Sequence, residues 1–241
     1  MKNRWLGAFA DLLFPKNIHC LLCGRQILLG ERYSICPECR KGLRFLLEDD
    51  CCNRCGRPIS NNVSDAWCSE CAGQSLHFEK AVSCLTYDDF SRRLIFMLKY
   101  GKKVYAAFHM AEMIYDRLRD SGMEAFDLIV PVPLHESRER ERGFNQAFLL
   151  AEALGKMRGE PVCKDAIYMR RPTIDQTRLG RQGRFKNLRG SFNTKDGMNL
   201  NGKRILLIDD VLTTGATADD CARALKEAGA EAVVAATVAC S

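Results

Sequence analysis

The chain has no uninterrupted run of about 18 apolar residues, the length a membrane-spanning helix needs, so no membrane span is expected. The apolar stretch 5–14 is short, is broken by Asp11 and is followed by no small-residue cleavage site, so a secretory signal is not expected either. Two nucleotide-binding signatures are also missing. There is no G-x-G-x-x-G pattern, and the hydroxyl-rich turn at 213–217 carries no lysine, which excludes a Walker A loop. Net charge is scarce over most of the chain. Residues 170–190 set seven Lys and Arg against Asp175 alone, and this segment accounts for the whole formal charge of +6. Such a segment suits pyrophosphate or a nucleic-acid backbone, or is a solvated basic loop.

Cysteine, by contrast, is plentiful, and eight of the thirteen form a repeat. Cys20-x2-Cys23-x12-Cys36-x2-Cys39 recurs 32 residues later as Cys52-x2-Cys55-x12-Cys68-x2-Cys71, with C-G-R-Q-I matched by C-G-R-P-I and C-P-E-C by C-S-E-C. Each C-x2-C pair can turn two thiolates onto one ion. Four thiolates at tetrahedral distance suit a closed, structural Zn²⁺ site, with an Fe–S cluster as the alternative. In a chain expected to stay in the cytoplasm, metal is favoured over disulfides. Sequential pairing of the two sets is the simplest arrangement, and interleaved pairing uses the same spacings. Cys51 competes with Cys52 for one ligand place, which the repeat register gives to Cys52; Cys51, Cys84, Cys163, Cys221 and Cys240 read as ordinary core or surface residues.

Residues 4–14 place Trp5, Phe9, Leu12 and Leu13 on one helical face, suited to packing on the body or a partner, or to shallow membrane contact. From about residue 76, apolar runs at 81–87, 126–130, 166–169, 205–208 and 232–238 read as strands. Helical patterns at 88–99, 104–120, 144–157 and 216–228 alternate with them, which argues an α/β domain with a parallel sheet. The first helix should turn Leu94, Ile95 and Leu98 inward and Arg92, Arg93 and Lys99 outward, and the second should bury Phe108, Ala111, Ile114, Tyr115 and Leu118.

The strand at 205–208 runs into Asp209 and Asp210, then the turn Thr213-Thr214-Gly215-Ala216-Thr217, then a helix. Strand, turn and helix in that order aim unpaired helix amides and the positive end of the helix dipole at the turn, which makes a phosphate site. Like charge keeps the two Asp off the phosphate itself. Their natural partners are sugar hydroxyls, or a Mg²⁺ held by the sugar and its leaving group. Phosphate and diol side by side describe a ribose 5-phosphate.

The run I-L-L-I-D-D-V-L-T-T-G-A-T (205–217) resembles the 5-phosphoribosyl-1-pyrophosphate (PRPP) motif of type I phosphoribosyltransferases. With the cysteine-rich front, the whole chain resembles the ComF family of bacterial competence proteins (ComFC- and GntX-like). The resemblance implies a type I phosphoribosyltransferase fold with a mostly parallel sheet over 76–241, preceded by an amphipathic helix at 1–17 and a tandem zinc-binding module, four cysteines to each ion, at 18–75. It implies PRPP, with Mg²⁺, on Asp209, Asp210, Thr213, Thr214, Gly215, Ala216 and Thr217, the two Asp being the catalytic acids. Replacing either Asp is then expected to weaken PRPP binding without unfolding the protein.

Pro131-Val132-Pro133 and Arg142-Gly143-Phe144-Asn145-Gln146 resemble the family's V-P-V-P…R-G-F-N-Q loop, so Arg142, Asn145 and Gln146 are implied pyrophosphate contacts. The alternating charges of Arg138 to Arg142 equally suit a self-paired solvated turn. Residues 175–192 resemble the flap that closes over PRPP, with Arg178, Arg181 and Arg184 on it and Phe185 or Phe192 available to stack on bases. No recognisable purine or pyrimidine hood is present, so the acceptor base stays open. The implied function is to bind PRPP or a related ribose 5-phosphate ligand and to act in single-stranded DNA handling during natural transformation, in the cytoplasm or peripheral to the membrane, with a competence helicase as a further partner. An active transferase of nucleotide salvage or metabolism, or a PRPP-sensing regulator, is the alternative, because the motif speaks for the ligand and not for turnover.

Overall fold

The structure, a computed structural model, describes residues 18–59, 67–100, 104–123, 125–170, 185 and 188–241. The helix expected at 4–14, and Arg178, Arg181 and Arg184 of the basic segment, lie outside the described residues. The chain divides between Leu43 and Arg44 into two compact units. In the first, a bridge between His19 and Gln26 leads to a 3-10 turn at Arg32–Ser34 and the short helix α1 (Pro37–Lys41). Cys36 caps α1 by accepting from the Cys39 amide at 3.4 Å, and Pro37 supplies the fixed φ of the first helical position.

In the second unit the second cysteine repeat, with helix α2 (Ser69–Ala72), runs into an α/β domain. Its elements are β1 (Lys80–Thr86), α3 (Asp89–Tyr100), α4 (Ala106–Asp120), β2 (Leu128–Pro131), α5 (Glu136–Arg142), α6 (Gln146–Arg158), β3 (Ile167–Met169), β4 (Phe192–Thr194), β5 (Arg204–Leu212), α7 (Ala216–Glu227) and β6 (Ala232–Cys240). Strands β1, β6, β5 and β2, in that order, form a wholly parallel sheet. Every residue of β6 is buried, as expected of a strand covered on both faces. Helices α4 and α6 pack on one face, against β1 and β6 and against β2 and β5 respectively. On the other face Cys221, Ala222 and Leu225 of α7 join Ile205, Leu207, Val233 and Ala235 in one core. Among the described residues no helix is long and apolar enough to cross a membrane.

Three expectations change here. The strand at 166–169 forms, but as β3 it pairs antiparallel with β4 instead of joining the main sheet. Phe108, expected inward, is 48% exposed, while Met110, Met113, Ile114 and Leu118 carry the buried face of α4. The β3–β4 pair brackets the basic segment, and α7 holds its far end. Asp220 accepts from the amides of Gly190 (2.8 Å) and Phe192 (3.0 Å), and Arg223 donates to the Phe192 carbonyl at 2.7 Å. Phe192 is thereby fully buried and cannot stack on a base.

The free edge of β1 is covered by the chain that leads to it. Phe45 bridges Leu85 antiparallel, Leu46 donates to the Cys84 carbonyl, and Ala81 donates to the Arg54 carbonyl at 2.7 Å. Gly56, at φ +67°, lies so close to that edge that a Cβ there would sit 2.4 Å from the Ala81 carbonyl oxygen.

Candidate functional site

The register of the sheet builds the site. β2 ends at Pro131 opposite Ile208, whereas β5 continues, so Asp209 and Asp210 stand beyond the end of β2 at the carboxyl rim. Strand alternation starts the two acids toward opposite faces, but the Asp209 carboxyl accepts from the Asp210 amide at 2.8 Å and stays within reach of the Asp210 side chain. Asp209 follows Ile205 and Leu207 toward α7, where its charge is felt by Cys221. Asp210, 4% exposed, faces α3 and α6. There it is ion-paired with Lys99 and accepts from Gln146 Nε2 at 3.3 Å. Gln146 in turn accepts from Arg142, whose guanidinium lies 5.2 Å from the centre of the Tyr100 ring. Lys99, expected to face solvent, turns inward. Its long apolar stem can follow the surface of α3 while the ammonium reaches the acid.

Burial, reinforced by the neighbouring Asp210 charge, pushes the Asp209 carboxyl well above the usual range. Burial opposes the charge on Lys99, yet Asp210, with Asp209 behind it, holds the ammonium above its ordinary value. Asn145, implied as a pyrophosphate contact, is buried and already engaged. Its oxygen caps α6 through the amides of Ala147 (2.9 Å) and Phe148 (3.4 Å), and its Nδ2 donates to the Val132 carbonyl at 3.0 Å. Of the alternating charges before it, Arg140 pairs with Glu136 on the exposed side of α5.

The turn at 213–217 begins α7. Gly215, at φ +84°, is the N-cap residue and accepts from Asp219 at 2.8 Å. The Thr214 hydroxyl takes the Ala216 amide at 3.3 Å, so the amides of Thr217 and Ala218 are the first-turn donors left without a helical carbonyl. The structure thus brings Asp210, Gln146 and Arg142 together next to Asp209 and adds Lys99 and Tyr100. The sequence feature that could have pointed to those two is the basic run Lys99-Tyr100-Gly101-Lys102-Lys103.

The eight repeat cysteines form two sequential sets, Cys20, Cys23, Cys36, Cys39 and Cys52, Cys55, Cys68, Cys71, each with its sulfurs within 4.8 Å of one another. Zn–S bonds of about 2.3 Å in a tetrahedron require S···S distances of about 3.8 Å. Cys23 and Cys36 stand at 3.8 Å, Cys55 and Cys68 at 3.7 Å. One thiol of each set is readied for the metal. Against the cost of burial, amide hydrogen bonds bring Cys20 and Cys52 down to about 7. Cys51 stays outside the second set, and burial pushes its thiol up to about 11.

Comparison with known proteins matches these two parts. A double zinc ribbon family model covers residues 9–74, and a phosphoribosyl transferase domain model covers residues 172–240. The chain is 30% identical to DNA utilization protein YhgH of Escherichia coli K12, over 89% of this chain and 93% of that protein. It is 26% identical to competence protein F of Haemophilus influenzae (90% and 94%) and 29% identical to competence protein ComFC of Bacillus subtilis (89% and 91%). With two four-cysteine zinc-binding sites ahead of a mostly parallel α/β sheet of the phosphoribosyltransferase fold, the chain belongs to the ComF family of competence proteins.

Proposed function

We propose that the rim formed by the ends of β2 and β5 binds PRPP or a related ribose 5-phosphate ligand, and that the protein uses it in handling single-stranded DNA during natural transformation. The observation that carries the ligand reading is the adjacent pair of acids at the end of β5, followed by a helix-capping turn. The 5-phosphate would take the Thr213–Thr217 turn with its hydroxyls and orphan amides, and Asp209 and Asp210 would take the ribose hydroxyls. Lys99 and Arg142, on the Asp210 side, would face the pyrophosphate. Asp209 is poorly solvated and next to another acid, which fits a site completed by hydroxyl donors or a divalent cation. Mg²⁺ carried in by PRPP would supply charge neutralisation between the pyrophosphate and these acids. Asn145 then serves as a positioning residue that fixes the start of α6. Titration calorimetry should show PRPP binding that strengthens with Mg²⁺. Heat no different from buffer in both conditions would exclude the reading.

The same pairing of acids and cations favours transfer chemistry as a second reading, in which the phosphoribosyl group passes to an acceptor and the assay is the pyrophosphate set free.

The DNA part rests on the names of the relatives, on the basic segment 170–190, and on exposed aromatics next to a cation. Phe96 and Tyr100 are 51% and 63% exposed with ring centres 5.2 Å apart, and Arg142 stands over Tyr100. Aromatic faces beside cations are what single strands stack on. Phe185 is partly packed on the core, so these rings are better placed for that role. Replacing Arg178, Arg181 and Arg184 with Ala should lower affinity for both ligands, DNA more. The log–log salt slope for single strands should flatten by about 0.7 for each phosphate that is no longer neutralised. Indifference of single-strand binding to all three arginines would leave the small-molecule reading alone.

A further inference from the structure

We infer that Arg57 is a positioning residue through which the second zinc ribbon holds the ligand turn, so that zinc retention in that ribbon and ligand binding are linked. The inference rests on the reading of 213–217 as the ligand site. Arg57 follows the ligand Cys55 by two residues, and its side chain is 17% exposed. One arm of its guanidinium binds Glu70, which lies between the ligands Cys68 and Cys71, and the other donates to the carbonyl of Thr213, the first residue of the turn. The chain leaving the ribbon touches the same element. His77 donates its amide to Asp219 at 2.6 Å, and its ring Nδ1 lies 3.1 Å from the same oxygen. The buried Phe78 ring lies 3.7 Å from the place a Cβ on Gly215 would take. Cys52, Cys55, Cys71, Phe78, Ala216 and Ala218 share one core.

The first repeat has the same Arg and Glu, as Arg25 and Glu38, yet Glu38 pairs with Lys41. The bridge is therefore a property of the second ribbon. A ribbon that loses its ion loses its fold. Glu70 would then no longer orient Arg57, and the turn would lose the donor on Thr213. By linkage, a ligand that needs the ordered turn must tighten zinc binding at the second site by the same factor that zinc improves its own binding, and a tighter site releases its ion more slowly.

The test uses the full chain with both zinc ions. Hydrogen exchange of a peptide covering residues 209–221 should be about tenfold faster in Arg57→Met than in wild type, with Glu70→Gln intermediate and Arg57→Lys partly restored. Residues 205–208 should be unaffected. In the second measurement zinc is drawn off by a chromogenic chelator. Mg²⁺–PRPP should slow release of one of the two wild-type equivalents about threefold and slow neither in Arg57→Met. The slowed equivalent should persist in Cys39→Ser, which lacks the first site. If Arg57→Met does not fold, Glu70→Gln, which keeps the arginine, carries both measurements. Equal exchange rates in wild type and the folded variants would overturn the clamp, as would zinc release blind to PRPP that binds by calorimetry. If PRPP does not bind at all, the ligand reading falls and the exchange measurement still decides the clamp.

Discussion

Replacing Cys71 with Ser should destabilise the whole α/β domain, whereas Cys39→Ser should leave that domain nearly intact. Both variants lose one zinc ion. Cys71 is fully buried, however, and its set shares a core with Phe78, Ala81 and the α7 helix. Apparent zinc affinities of about 10–16 kcal/mol in small fingers are largely folding free energy, against a total domain stability of about 5–15 kcal/mol. Even a fraction of that loss is large when the ribbon is part of the core. For a domain of this size, a loss of about 4 kcal/mol lowers Tm by about 10 °C. Cys39 is half-buried and belongs to the other compact unit. Calorimetric melting with zinc analysis decides the matter. Equal melting shifts in the two variants would mean that the second ribbon is not part of the domain's core.

The two acids of the motif should respond in opposite ways, although the sequence treats them alike and neither was expected to affect folding. Asp210→Ala leaves the Lys99 ammonium in a site only 23% exposed with its partner gone, and takes away the acceptor of Gln146 Nε2. Breaking a buried pair from one side costs about 3–5 kcal/mol, and the residual exposure of Lys99 puts the expected loss near the lower end. Asp209→Asn should stabilise instead. The Asp209 carboxyl resists ionisation in the folded protein, while in the unfolded chain it ionises near 3.8. Above that pH the unfolded state holds fewer protons at this group, so stability falls as pH rises toward the folded pKa, by about 1.4 kcal/mol per pH unit. Asn removes that slope, and it also removes a ribose-hydroxyl acceptor, so PRPP affinity should drop while Tm rises. Urea unfolding of both variants at pH 5 and pH 8 tests the contrast. It fails if Asp209→Asn is as destabilised as Asp210→Ala and keeps the wild-type pH slope.

Much of this is legible from residue patterns, and the gaps have physical causes. The cysteine repeat names all eight ligands because thiolate spacing is a local property. The strands at 205–208 and 232–238 are readable from apolar runs, since strands buried on both faces need little else. β4 escapes such a reading because Phe192–Thr194 is three residues long with one buried side chain, and only pairing with β3 makes it a strand. Lys99 escapes it because helical periodicity locates an apolar face and says nothing of a cation on its flank that meets an acid 111 positions later. The same limit hides the Arg57 contact. Its Arg and Glu occur in both repeats, and only the tertiary fold brings Thr213 to one of them.

The cover on the edge of β1 bears on where this chain could be shortened. A parallel sheet with a bare outer strand offers unpaired amides and carbonyls to any other extended chain, including its own copies. Here Arg44 to Leu46 and Arg54 occupy those groups. A protein begun at residue 44 would keep the shield, whereas one begun at residue 76 would retain every strand and helix of the α/β domain and present an adhesive border. The segment ahead of the sheet thus acts as a guard against edge-to-edge assembly, a task separate from metal and ligand alike.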